Sequence, residues 1–203
     1  AGAAGLEQIP ARDGERASSR VKEIYDFRKG TRKLARFTVR SSYYDEDADG
    51  MRVKMRSKTA AELGKEYFEY YKKSHEGLRI VTPLEYTDDR EKNRFTIEES
   101  YEIDKPFEKD GDDDPKFFLE AYLVTDQPGQ PDETVRTSPL ARRFPMHVRH
   151  EIVAYLPGKW QIKDERKTVK DPAFEYRSRY SANDTRGDVT IAVFPGQSFR
   201  NVA

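Results

Sequence analysis

Asp45, Asp47 and Asp49, followed by Gly50, are spaced to do chemistry. An EF-hand loop draws oxygen ligands from its first, third and fifth positions. It needs Gly at the sixth and a bidentate Glu at the twelfth. Counted from Asp45, the first four requirements are met. The twelfth residue is Arg56, a cation where the strongest ligand belongs, and the eighth, usually apolar, is Arg52. The competing reading is a polar turn between strand and helix. In it Asp49 caps the helix and its acidic neighbours favour the helix dipole. The missing twelfth ligand favours the turn, and no metal is assigned. Asp45, Asp47 and Asp49 remain the calcium candidates.

Other reactive side chains select no constellation. Asp112 to Asp114 could hold a hard cation, but such runs are usually solvated loops. His147 and His150 lie three apart, which on a strand puts them on opposite faces and argues against a shared metal. Ser41 and Ser138 lack the G-x-S-x-G context of a nucleophile elbow. Arg142 and Arg143 form a basic pair. Arg177 and Arg179 alternate with Tyr176, Ser178 and Tyr180, as on a solvated strand face or a binding surface.

Composition narrows the classes. Lys+Arg and Asp+Glu are both 37, so no basic surplus exists to grip nucleic acid. Charged residues make up 36%, yet 12 Tyr and 11 Phe separate the chain from disordered sequences, which are poor in aromatics. The absence of Cys excludes disulfides, zinc thiolates and cysteine nucleophiles. No apolar run approaches the length of about 18 residues that suggests a membrane-spanning helix. The start, Ala1 to Gly5 without Met, suggests a mature form or an excised fragment.

The elements follow from periodicity. Residues 1–14 read as a flexible lead-in. Val21, Glu23, Tyr25 and Phe27 share one side of an alternating segment. Ala35, Phe37, Val39, Ser41 and Tyr43 share one side of a second, and the turn around Gly30 makes the two a hairpin. A short helical piece is expected from about Asp49 to Lys58. A longer helix over about residues 60–75 starts at a capping box, Thr59 and Glu62, and carries the stripe Leu63, Tyr67, Tyr70 and Tyr71. Gly77 fits its C-terminal cap. Leu78 to Tyr86 reads as a strand that Pro83 marks as an edge or a bend. Phe95, Ile97, Glu99, Tyr101 and Ile103 fall on one face of the next. Further strands are expected at Phe117–Thr125, Met146–Leu156, Trp160–Ile162, Phe174–Tyr180 and Val189–Phe194, with residues 181–187 as a hairpin turn.

The expected fold class is α+β, mostly β. An antiparallel sheet with one packed helix (β-β-α-β-β, residues 15–105) is followed by a β-sandwich-like unit (residues 116–203).

Several short motifs occur in a familiar order: Asp49-Gly50-Met51-Arg52, the Tyr-rich helix ending at Phe68 to Tyr71, Asn93, Glu98 to Ile103, Arg136 to Leu140, Phe144-Pro145, and Leu156 to Trp160. The chain thereby resembles the region C-terminal to the catalytic core of bacterial transglutaminase-like proteins that carry an N-terminal domain of unknown function. Those cores use a Cys-His-Asp triad. This chain has no Cys, so no triad residue carries over. The resemblance implies a non-catalytic accessory region without cofactor, secreted or periplasmic. It would support the parent's catalytic core or recognise a partner protein or glycan. A stand-alone carbohydrate- or peptide-binding β module and a calcium-stabilised adhesion-type domain are the alternatives.

Overall fold

A computed structural model describes residues 17–108, 114–125, 147–158, 160, 163–171, 174–183 and 188–196. Among the described residues eight strands carry the fold: β1 (Ser19–Asp26), β2 (Ala35–Tyr44), β3 (Leu78–Asp89), β4 (Arg94–Ile103), β5 (Val148–Tyr155), β6 (Glu165–Asp171), β7 (Phe174–Asn183) and β8 (Asp188–Gly196). Helices α1 (Glu46–Ser57) and α2 (Ala60–Lys72) lie between β2 and β3, and a helical turn, α3 (Tyr122–Thr125), lies between β4 and β5. The chain is mostly β, with helix packed on sheet, as its periodicity suggests.

The strands line up as β3-β4-β2-β1-β5-β8-β7-β6. Every neighbouring pair is antiparallel except β1 with β5, which run parallel from Ser19↔Val148 to Asp26↔Tyr155. The strands β3-β4-β2-β1-β5 form a mixed sheet that carries the helices. The smaller antiparallel set β8-β7-β6 extends from β5.

The two faces of the sheet differ because the side-chain period is two. One face buries Val21, Tyr25, Phe37, Val39, Tyr101, Ile103, Ile152 and Ala154 as the main core. On the other, opposite charges meet across strands: Lys22 to Glu151 at 2.8 Å and Arg40 to Glu98 at 2.8 Å. This open face absorbs part of the chain's high charge. Exposed pairs of this kind add little stability and much solubility.

The helices cover the apolar face. The capping box at Thr59 forms as its sequence specifies: Thr59 Oγ1 accepts the Glu62 N–H at 3.2 Å, and the Glu62 carboxylate accepts the Thr59 N–H at 2.8 Å. Helix α2 ends at Lys72, and Gly77, at φ 72°, turns the chain into β3. A Cβ at Gly77 would also stand 3.2 Å from Asp104. Gly64 lets α2 approach β3 closely, since a Cβ there would lie 3.1 Å from the Leu84 side chain. Pro83 lies on the outer strand β3, inside the register shift between Thr82 and Glu85, where a missing donor costs no ladder bond.

Some elements depart from expectation. Helix α1 starts at Glu46, with Asp45 rather than Asp49 at the N-cap, and no side chain caps it. Asp45 takes φ 56°, its N–H donates to the Asn93 carbonyl at 2.9 Å, and its own carbonyl accepts the Asp49 N–H at 3.0 Å. The backbone turn thus fixes the start. Met51 and Met55 turn inward at helical spacing while Val53 stays 61% exposed. Phe117–Thr125 is not a strand. It crosses the sheet as an extended strap, ending in α3, with Phe117, Leu119, Ala121 and Leu123 packed on the core. An apolar run of that length can cover a sheet as well as join one, and periodicity does not separate the cases. Trp160 lies outside any strand and packs on Phe107 at 5.8 Å, while residues 161 and 162 lie outside the described residues. Periodicity does not predict strand β6. It is a polar edge strand, and its side chains give no alternation to detect.

A second small core, Ala48, Met51, Leu63, Phe95 and Ile97, ties both helices to β4. Replacing the fully buried Leu63 by Ala is expected to cost about 3 kcal/mol in urea unfolding. Val53→Ala, on the exposed face of α1, should stay within about 0.5 kcal/mol.

Candidate functional site

Ladder register assembles a polar cluster inside the apolar face. Ile152, Glu23, Val39 and Glu99 form one cross-strand row over β5, β1, β2 and β4. Two carboxylates therefore lie under the helices, separated by Val39 and by about 10 Å of sheet. Glu23 is 1% exposed and Glu99 is 3% exposed. Both sit in phase with apolar residues on strands whose alternation is otherwise regular.

Tyrosine hydroxyls serve these carboxylates. Tyr25 donates to Glu23 Oε2 at 3.2 Å, and Tyr101 donates to Glu99. In each case donor and acceptor are two residues apart on one strand, so they share a face. Because the Tyr25 proton points to Glu23, His75 Nε2, 3.2 Å from the same hydroxyl, is the donor in that contact. His75 is stacked on Phe117 at 5.8 Å and edge-on to Phe37 at 5.3 Å. Burial lowers it from 6.5 to about 4, so it is neutral at physiological pH.

His150, fully buried on β5, closes the other side of the cluster. Its Nδ1 accepts the Leu123 N–H at 3.4 Å, which leaves the proton on Nε2. That nitrogen faces Glu23 Oε2 at 3.6 Å, beyond a hydrogen bond. The Tyr122 ring stands edge-on over the imidazole at 4.7 Å. The strap is thus fastened to the sheet through His150.

A cavity of about 350 Å³ opens between α2, the strap and the sheet. Its walls include Ser41, Tyr43, Tyr67, Tyr71, Tyr122 and Glu99, with Tyr70 and Glu66 at its margin. The Tyr71 and Tyr122 hydroxyls are 2.8 Å apart across it. Tyr70 is 41% exposed, so this member of the predicted helical stripe faces the cavity mouth, while Tyr71 beside it is buried in the core. A recess of about 240 Å³ on the other side of α2, lined by Gly64, Phe68, Pro83 and Leu84, also reaches Glu99.

The electrostatics of the cavity are one-sided. Burial raises Glu99 from 4.5 to about 7, the Tyr101 hydrogen bond pulls it back, and the Glu23 charge adds to the rise. Burial first, then the same carboxylates and neighbouring hydroxyls, drives Tyr67, Tyr71 and Tyr122 well above their ordinary value. These tyrosines are neutral donors and acceptors at any physiological pH.

The calcium candidates meet different partners. Asp47 accepts the Ser19 hydroxyl at 2.7 Å, and Asp49 accepts Arg52 Nη1 at 2.6 Å. Arg52 also places Nε and Nη2 on Asp88 Oδ1 at 2.9 and 2.7 Å and donates to the Asn93 side chain. The eighth residue of the acidic loop therefore supplies positive charge beside Asp49 and Asp88. Among the described residues no group of three or more His, Asp or Glu side chains could hold a metal ion. Asp112, Asp113, Ser138, Arg142 and Arg143 lie outside the described residues. His147 sits just before β5, where its carbonyl accepts the Ser18 N–H at 2.8 Å. Arg177 and Arg179 are exposed on β7, while Tyr176 and Tyr180 on its other face pack on the core.

Of the motifs behind the family resemblance, Phe68 to Tyr71 lies within α2 and Glu98 to Ile103 within β4. Arg52, Asn93 and Asp49 form one hydrogen-bonded knot, and Trp160 packs on Phe107. Residues 136–140, 144 and 145 lie outside the described residues. Compared with known proteins, the chain matches no family model, no curated protein and no solved structure.

Glu99 and His75 give opposed pH responses. The Glu99 contribution is present below about pH 4.5 and is lost as pH rises to about 7, on the order of 3 kcal/mol. The His75 contribution is present above about pH 6.5 and is lost on descent to about 4, by a similar amount. They nearly cancel between these limits. Urea midpoints of Glu99→Gln should rise with pH over that interval, and those of His75→Phe should fall. Parallel profiles for wild type and both variants would refute the assignment.

Calcium should leave the thermal unfolding midpoint of the protein where chelator leaves it. A calcium-dependent rise would restore the Asp45–Asp49 loop as a site.

Proposed function

We propose that this chain is a non-catalytic recognition domain whose ligand seat is the tyrosine-lined cavity beneath α2. One observation carries the reading: hydroxyls from α2, β2 and the strap converge with a buried carboxylate on a concave space of about 350 Å³. Small-ligand sites are concave and lined with aromatics, with a few placed polar groups. The rings supply contact area, and the hydroxyls and Glu99 supply direction. The motif order supports placing the domain as an accessory region of a secreted or periplasmic transglutaminase-like protein. There it would support the parent's catalytic core or recognise a protein or glycan.

A second reading, general acid–base catalysis, is favoured by Glu99 alone. A carboxyl at about 7 inside a cavity is poised to exchange a proton near neutral pH.

Titration of isotopically labelled protein with glucose, glycylglycine, n-butanol and n-butylammonium separates these readings. Amide shifts confined to Tyr43, Tyr67, Tyr70, Glu99 and Leu123 are expected for at least one probe. No shift with any of the four would overturn the recognition reading. Ester hydrolysis or acyl transfer by the purified protein, lost in Glu99→Gln, would establish catalysis instead.

A further inference from the structure

We propose that the cavity beneath α2 selects an ammonium-bearing ligand, seating the cation at Glu99 and its methylenes against the tyrosine rings. The inference rests on the recognition reading above and adds the ligand's charge.

The charge balance of the walls is the first argument. Glu99 is buried, and its hydrogen bond comes from a neutral hydroxyl. Among the described residues no Lys, Arg or His forms an ion pair with it. Of the nearby lysines, Lys58 pairs with Glu66, Lys54 stands 3.6 Å from the same carboxylate, and Lys65, across the recess from Glu99, is exposed on α2. A desolvated carboxylate without a cation is costly, and a ligand bringing one offsets that cost. An anionic ligand would face the Glu99 carboxylate with no cation on it.

The walls themselves are the second argument. Tyrosine faces attract ammonium groups, and the margin already shows this, with Lys54 Nζ lying 5.3 Å from the centre of the Tyr67 ring. Tyr70 adds an exposed ring at the mouth. A neutral polyol would find hydroxyls but would leave the carboxylate unpaired. A divalent cation would need several oxygen ligands, and no such group exists among the described residues.

Proton balance gives the signature. The groups facing Glu99 are Tyr101 on its own strand, Tyr43 on β2, Glu23 on β1, and Tyr122 on the strap. From α2 come Tyr67, Tyr71, Glu66 and Lys65. Burial keeps Tyr67, Tyr71, Tyr101 and Tyr122 protonated. An alkylammonium also keeps its proton, with a pKa of about 10. Binding below neutral pH therefore converts the Glu99 carboxylic acid to carboxylate and releases that proton to solvent.

Calorimetry with n-butylammonium and n-butanol, in two buffers of different ionisation heat at about pH 5.5 and about pH 8.5, reads this directly. Butylammonium is expected to bind about tenfold or more tighter than butanol at the higher pH. It should release close to one proton at the lower pH and almost none at the higher. Glu99→Gln should erase the preference for the amine, with circular dichroism confirming its fold. Tyr70→Ala, at the exposed mouth, should weaken the amine and spare butanol. Equal binding of amine and alcohol, or a preference that survives Glu99→Gln, would overturn the ammonium assignment and leave the recognition reading standing. No binding by any probe, glucose and glycylglycine included, would overturn both.

Discussion

The structure depends on β1 being paired along both edges. Antiparallel to β2 on one side and parallel to β5 on the other, it satisfies its backbone polar groups from two distant parts of the chain. Its register also sets the interior. The Ser19↔Tyr43 and Ser19↔Val148 pairings put Glu23 in line with Val39 and Ile152, and β2 carries that line on to Glu99. A slip of one residue on β1 would turn Glu23 to the open face and Lys22 inward. The polar cluster is thus a product of strand alignment rather than of any local motif.

Given that alignment, the tyrosines make buried carboxylates tolerable. Each carboxylate receives a hydroxyl from the same strand, and the rings that carry those hydroxyls fill the core. Tyr25 stacks on Phe37 at 4.4 Å and is edge-on to His75 at 5.7 Å, so one side chain serves packing and polarity together. The strap then seals the cluster, with Leu123 bonded to His150 and Tyr122 bonded to Tyr71. Where this cover stops, the cavity begins.

Much of the fold was legible in the chain because alternation and capping are local. The β1–β2 hairpin, the capping box at Thr59, the outer strand marked by Pro83 and the inward face of β4 follow from neighbouring residues alone. The parallel β1–β5 pairing was not legible, since it joins residues with no local relation. The strap escaped for a different reason: an apolar run states that it will be buried and leaves open whether it pairs or covers. The cavity was half legible. Glu23 and Glu99 each interrupt an apolar face in phase with it, which is a visible anomaly. That the two share a row required the register. At the acidic turn the spacing suggested calcium. The arginine within the same loop is the residue that meets the charge, and only the folded chain shows it reaching Asp49 and Asp88 together.

The parallel ladder also bears on how the chain reaches its native state. Lys22 and Glu151, which face each other across it, are 129 positions apart. Contacts of that separation are bought late, because the intervening chain must be ordered before the ladder rewards it. During synthesis the β1–β2–β3–β4 portion is complete long before β5 leaves the ribosome. Until then β1 presents an open edge of unpaired N–H and C=O groups, the kind of surface that recruits other strands. Arg20 and Lys22 on β1 are charged side chains of the kind that discourage such pairing at a sheet edge.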